Sequence, residues 1–252
     1  MKRIAVVTGA GRGIGREIAL AFADAGYDLV LAARGVADLN ETAEMVNAKG
    51  SEGHVVPVDL ANEADATALA ETVRSIGPIH ALVNNSGVGG PSGPLWELDV
   101  EGWDETFAVN VRGTFLATRE LLPQMIEQGS GSVAVIGSIS GKRPLWGRSA
   151  YTTSKMALVG LVRTLALEAG PNGIRVNLIS PGFVAGPRIE WVIQKQAEER
   201  GLTQQAVRAE LESVSPLGRL TEAREVADTC VFLASDKAAG ITGADINVNW
   251  LW

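Results

Sequence analysis

I-A-V-V-T-G-A-G-R-G-I-G, residues 4 to 15, is a short apolar run that stops at a cluster of glycines. Ile4 to Thr8 is rich in β-branched side chains, which reads as a buried strand. The run breaks at Gly9-Ala10-Gly11-Arg12-Gly13-Ile14-Gly15 and passes into an Ala-rich helical segment ending near Ala25. Strand, glycine turn and helix N-terminus in that order make an anion cradle. Small residues admit phosphate oxygens, and free N–H groups with the helix dipole meet their charge. The glycines fall as T-G-x-x-x-G-x-G and not as G-x-G-x-x-G, and Gly9, Gly13, Ile14 and Gly15 are the residues expected nearest the phosphate oxygens.

Working outward, similar apolar runs recur at Asp28–Ala32, His54–Val58, Ile79–Val83, Ser132–Gly137, Ile174–Ser180 and Asp245–Val248. Helical patterns lie between them. Two cover roughly Val100 to Gln128, with Pro123 expected to bend or delimit the second; others are expected at Tyr151–Glu168 and Glu222–Ala234. Such alternation predicts an α/β fold: a Rossmann-type doubly wound parallel sheet with helices on both faces. No linker, repeat or low-complexity segment interrupts it, so residues 1–252 read as a single domain. Trp191 to Leu211 is polar and helical, the centre of an expected substrate lid over about residues 183–215.

Composition narrows the function. The chain of 252 residues carries a net charge of −7 and no basic run, which argues against nucleic-acid or anionic-membrane partners. No apolar run is long enough to span a bilayer, and only three residues precede the first strand, leaving no room for a signal peptide. The single Cys230 sits in the apolar run V-A-D-T-C-V-F-L-A and reads as buried, which suits a cytoplasmic protein. His54 and His80 lie in separate strand-like runs without metal-ligand spacing, so no metal site is expected.

The chemistry concentrates in S-I-S-G-K-R-P-L-W-G-R-S-A-Y-T-T-S-K, Ser138 to Lys155. Ser138 follows a strand, at the sheet edge where ligands bind in open α/β folds. Tyr151 and Lys155 are four residues apart on a helix and share one face. A phenol with a pKa of about 10 is a poor acid or base at neutral pH, and a neighbouring ammonium pulls it toward the working range. Ser, Tyr and Lys together read as one acid/base device.

These motifs, in this order, resemble the short-chain dehydrogenase/reductase family over essentially the whole chain. Its cofactor turn matches Thr8, Gly9, Gly13 and Gly15, and its adenine-contacting acid matches Asp59, followed by Leu60. Its N-N-A-G turn matches Asn84-Asn85-Ser86-Gly87, with Asn85 and Gly87 toward the cofactor, and its nicotinamide loop matches Pro181-Gly182 and Val184. The resemblance implies a catalytic set of Asn110, Ser138, Tyr151 and Lys155. Tyr151 would exchange the proton, Ser138 orient the oxygen, and Lys155 lower the Tyr pKa and hold the nicotinamide ribose. Asn110 would support a water chain to Lys155. Two departures stand out: no Thr follows the Pro-Gly within Phe183 to Pro187, and the chain ends Asn249-Trp250-Leu251-Trp252.

The expected activity is NAD(P)-dependent hydride transfer between a nicotinamide and a secondary alcohol or ketone. A non-catalytic dinucleotide sensor, or a reductase of sugar or acyl-type carbonyls, is the alternative. The second strand ends at Ala33-Arg34 without the acid that holds an NAD ribose, and Arg12 sits in the glycine turn, so NADP(H) is expected, with NAD(H) the alternative. Trp96, Trp146, Phe183 and Trp191 are expected to line a pocket for a bulky or aromatic substrate, with Trp250 and Trp252 reaching toward a neighbouring subunit. The run after Lys155 is apolar nearly all round, more than one sheet face can cover, and the resemblance, whose members commonly pair this helix across a twofold axis, implies a homotetramer, with a dimer as the fallback.

Overall fold

The computed structural model describes residues 2–143 and 145–251; Trp252 lies outside them. Its strands are β1 (Ile4–Thr8), β2 (Asp28–Ala33), β3 (Gly53–Pro57), β4 (Ile79–Asn84), β5 (Gly131–Ile136), β6 (Ile174–Pro181) and β7 (Asp245–Val248). They form one sheet in the order β3-β2-β1-β4-β5-β6-β7, and all pairs are parallel. The helices are α1 (Gly13–Asp24), α2 (Val36–Ala48), α3 (Glu63–Ile76), α4 (Val100–Phe107), α5 (Gly113–Gln128), α6 (Ser149–Ala169), α7 (Pro187–Arg200), α8 (Gln204–Ser213) and α9 (Ala223–Ala234).

Alternation along β1 shows why the sheet is covered twice. Ala5 and Val7 face one core with α1, α2 and α9, while Ile4 and Val6 face a second with α3, α5 and α6. All four are buried, and each fully buried Val contributes roughly 2 kcal/mol. Cys230 lies in the first core, where burial pushes its thiol pKa up and away from reactivity. Strand order reverses between β1 and β4, so a crevice opens at their C-terminal ends, where α/β sheets bind ligands.

Three expectations are corrected. The helical patterns over Val100 to Gln128 are α4 and α5, joined by a π turn over Ala108–Arg112, and Pro123 does not delimit the second, because α5 runs through it. The polar helix expected over Trp191–Leu211 is two helices, because Gly201 takes φ +64 and Thr203 caps α8 by accepting from the Ala206 N–H at 3.1 Å. A small separate core (Ile189, Ile193, Ala197, Val207 and Leu220) holds that pair together. Helix α6, expected to need cover on more than one side, buries one face in the single chain and leaves Met156 and Leu167 exposed on the other, Leu167 by 80%. Finally, Trp250 turns inward within its own protomer. Only 7% exposed, it packs edge-on against Phe183 at 5.9 Å and under the Arg143 guanidinium at 5.4 Å.

Candidate active site

The glycine turn is built for close approach. A Cβ on Gly15 would stand 2.0 Å from the Gly9 carbonyl oxygen, so α1 can begin against the turn only with glycine there. Gly9 itself takes φ +66, a left-handed conformation that glycine adopts without strain. Thr8 Oγ1 accepts from the N–H groups of Asn85 (2.9 Å) and Ser86 (3.0 Å), and Asn85 Nδ2 donates to Thr8 O (3.0 Å) and Gly9 O (3.3 Å). The ends of β1 and β4 are thereby stitched into one rim. Arg12 precedes α1 without a side-chain cap, and no acid stands in the first turn, so the helix N–H groups and dipole are left to an anion. A diphosphate fits this cradle by size and charge.

Arg16, which sequence reading passed over, closes its far side by donating to Gly11 O (2.7 Å) and pairing with Glu41 at 2.8 Å. Arg12 and Arg34 are exposed at the same end of the sheet. Asp59 is half-buried after β3; its Oδ1 accepts from the Ala61 N–H at 3.1 Å, and its own N–H donates to Asp65 at 2.9 Å. Leu60 beside it is buried.

Ser138, just past β5, caps a short turn by accepting from the Ser140 N–H at 3.1 Å. Its hydroxyl also faces Tyr151 and favours the phenolate. Lys155, one turn along α6 from Tyr151, is buried and donates to Ile136 O at 2.8 Å, with Nζ 5.9 Å from the Tyr151 ring centroid. Burial alone would push the Tyr151 phenol up. Lys155, Arg188, the Ser138 hydrogen bond and Arg148 together outweigh it and hold the phenol below its ordinary range. Burial, opposed by Tyr151 and aided by Arg188, pulls the Lys155 ammonium down.

Asn110 sits in the π turn, fully buried. Its Oδ1 accepts from the Val88 N–H at 2.8 Å, and its Nδ2 donates to Val88 O (3.0 Å) and Ser154 Oγ (2.9 Å). The amide thus clamps the segment after β4 to α6. Gly87 lies under that clamp, where a Cβ would approach Asn110 Oδ1 to 3.2 Å and Lys155 Nζ to 3.5 Å.

Pro181 ends β6 and Gly182 follows it; a Cβ on Gly182 would stand 2.9 Å from Asn249 O. Val184 bridges Thr221 in parallel, tying the following loop to the start of the last helix. The mouth is completed by the 88–98 and 145–148 loops, joined where the Gly93 N–H donates to Gly147 O at 3.0 Å. Trp96, Trp146 and Trp191 are exposed by 84, 83 and 60%, whereas Phe183 is half-buried against Trp250. Arg148 and Arg188, also unforeseen, bring their guanidinium carbons to 5.1 and 5.6 Å from the Tyr151 ring centroid. Their position three residues before Tyr151 and six after Gly182 was the available signal. Among the described residues no His, Cys, Asp and Glu cluster could hold a metal ion, and no helix is long and apolar enough to cross a membrane.

Residues 9–250 match the family described as enoyl-(acyl carrier protein) reductase. The chain belongs to the short-chain dehydrogenase/reductase family. Within this family it is 37% identical to 2-(R)-hydroxypropyl-CoM dehydrogenase of Xanthobacter autotrophicus, over 97% of this chain and 96% of that one. It is 33% identical to a 3-oxoacyl-[acyl-carrier-protein] reductase of Staphylococcus aureus, over 99% of this chain and 97% of the relative. Among solved structures it is similar to an NADPH-bound variant of actinorhodin polyketide ketoreductase (TM-score 0.93, 31% identity, 98% of this chain and 95% of that one). It is also similar to an NAD+-bound xylitol dehydrogenase (TM-score 0.93, 28% identity, 98% and 97% covered). As a short-chain dehydrogenase/reductase, the chain is an NAD(P)-dependent oxidoreductase acting on CH–OH and carbonyl groups of small molecules.

Proposed function

We propose that this enzyme interconverts a secondary alcohol and a ketone with Tyr151 as its proton-exchanging group. The observation that carries the reading is the phenol held below its ordinary range at the sheet edge, between Ser138 and Lys155 and beside the glycine cradle. When bound, the nicotinamide supplies or takes up the hydride. Tyr151 gives a proton to the carbonyl oxygen in reduction and takes it from the hydroxyl in oxidation. The Ser138 oxygen accepts from Ser140, and its proton, which faces Tyr151, turns to the substrate oxygen and holds it in line with Tyr151. Lys155 favours the phenolate and, with Pro181, Gly182 and Val184, borders the nicotinamide side. Asn110 keeps Gly87 and Val88 in place against Lys155. Tyr151→Phe is expected to lower turnover by at least ~100-fold with little change in cofactor affinity. Near-full turnover on a confirmed substrate would refute the assignment.

Finer readings accompany it. NADP(H) is the preferred cofactor, because Arg34 follows β2 where an acid would select NAD, and Arg12 is exposed nearby. Asp59, Leu60, Asn85 and Gly87 complete that side of the cofactor site. Residues 183–215, holding α7 and α8 on their own small core, form the lid, and the exposed Trp96, Trp146 and Trp191 favour a bulky substrate over a small polyol. The uncovered face of α6, with Met156 and Leu167, supports a homotetramer, and the reduced, buried Cys230 suits the cytoplasm.

A further inference from the structure

Arg148 immediately precedes α6 and Arg188 is the second residue of α7, yet the fold brings their side chains together at the mouth. A Cβ on Gly89 would stand 2.5 Å from one Nη of Arg188 and 3.2 Å from one Nη of Arg148. Both forks therefore converge over one glycine, close enough for a single small anion to touch both. Gly89 leaves them the room that any side chain would fill. Arginines 3, 16, 74, 119, 200, 208, 219 and 224 are all ion-paired with carboxylates. Arg148 and Arg188 have no carboxylate and no side-chain hydrogen-bond acceptor among the described residues; their one shared contact is the Tyr151 ring. Two unpaired guanidinium groups side by side repel one another, and the repulsion is felt: burial first, then Arg188, lowers the Arg148 pKa. In a chain of net charge −7, this is a positive spot placed at the reacting centre.

We propose that Arg148 and Arg188 clamp an anionic group of the substrate, a carboxylate, sulfonate or phosphate a short spacer away from the carbon that Tyr151 serves. Paired guanidinium forks suit such oxygens, because each can offer two parallel charge-assisted donors. The clamp rests on the alcohol–ketone reading of the same site and adds the substrate class. A neutral polyol or a simple aryl ketone would leave both charges uncompensated in a closed complex. An anionic ketone would neutralise them and be oriented by the fork.

The test uses three keto acids of increasing spacer length, 3-oxobutanoate, 4-oxopentanoate and 5-oxohexanoate, each against its methyl ester. The ester keeps the ketone and removes the charge. In the wild type, kcat/KM for the acid is expected to exceed that for the ester by ~10-fold or more at one spacer length at least. Arg148→Gln and Arg188→Gln should each reduce this ratio, mainly through KM for the acid, and the double variant should bring it near one. Each variant is measured at its own pH optimum, because both arginines also act on Tyr151. If they serve only to tune the phenol, acid and ester would fall together and the ratio would survive; that result overturns the clamp. Esters turned over as well as acids by the wild type at every length would overturn it too. Binding is read separately by calorimetry in the dead-end complex with NADP+, where a ketone cannot be reduced. Tyr151→Phe should still bind the best keto acid, and Arg148→Gln/Arg188→Gln should not. Acid and ester binding equally in that complex, or neither binding, counts against the clamp whatever the turnover. Conversely, acid-selective binding with no turnover of any ketone would leave the clamp standing and sink the alcohol–ketone reading.

Discussion

Removing the Asn110 side chain separates a clamp from a bystander in a proton path. Asn110→Ala deletes three hydrogen bonds from a fully buried amide, two to Val88 and one to Ser154. Ser154 Oγ keeps its own bond to Tyr151 O at 2.8 Å but loses its donor, and the Val88 peptide loses both partners. At a net 0.5–1.5 kcal/mol for each bond, the expected loss of stability is about 3 kcal/mol. For a chain of this size that lowers Tm by roughly 6 to 12 °C. Asn110→Asp keeps an acceptor for the Val88 N–H, but turns a second carboxylate oxygen toward Val88 O and should be no milder. The assay is thermal unfolding at one fixed protein concentration, with kcat measured well below the transition. A double-mutant cycle with Ser154→Ala should show coupling of about 1 kcal/mol, since the two side chains are in direct contact. A Tm shift below about 2 °C would refute the clamp, as would a cycle additive within about 0.3 kcal/mol. Loss of kcat with stability intact would return Asn110 to a purely chemical role.

Three further outcomes are expected. Oxidation needs the Tyr151 phenolate, so its kcat/KM should rise with pH and level off above a pKa lying below the ordinary 10.0, while reduction, which needs the phenol, should fall over the same range. Ser138→Ala or Arg188→Gln removes a group favouring the phenolate and should move that inflection to higher pH; a profile flat from about pH 6 to 10 would contradict the assignment. The wild type should favour NADP(H) over NAD(H) by about tenfold or more in kcat/KM, less at high salt because Arg34 is exposed. Arg34→Ala should erase most of that preference, and a wild-type preference for NAD(H) would refute it. Light scattering should give a tetramer mass for the wild type and a smaller species for Met156→Glu/Leu167→Glu, which charges the open face of α6; a monomeric wild type would end the proposal.

Much of the fold was legible because both faces of the sheet are buried. A strand covered twice must be apolar throughout, and I-A-V-V-T ends at the residue where β1 ends. Tyr151 and Lys155 were legible because a four-residue spacing on a helix is a local fact. What escaped was either one residue in size or long in range. A π turn adds a single residue to V-N-V-R without disturbing the apolar pattern around it, so Asn110 read as part of a plain helix. Gly201 looks like a tolerated glycine until its φ of +64 turns the chain. Arg148 and Arg188 meet only because β6 carries the chain across the sheet between them. Trp250 was expected to face outward because Asn-Trp-Leu-Trp is a tail in sequence. In space it follows β7, which lies beside β6, and Phe183 waits at the end of that neighbour.

The π turn at Ala108–Arg112 also carries a message about how this stretch can change over time. A helix advances about 100° per residue, so one surplus residue held in a wide turn offsets α4 from α5 by nearly a third of a revolution. Deleting Val109 alone would let the helix regularise, a locally favourable event. Everything before it would then swing round, carrying the stacked Trp103–Phe107 pair off its bearing and turning residue 110 away from Val88. Point substitutions here are graded in their effect; a single-codon deletion is not. From α4 through α5 the number of residues is therefore inherited as strictly as their identity, and lineages that vary in length should do so in the 88–98 loop and leave this helix alone.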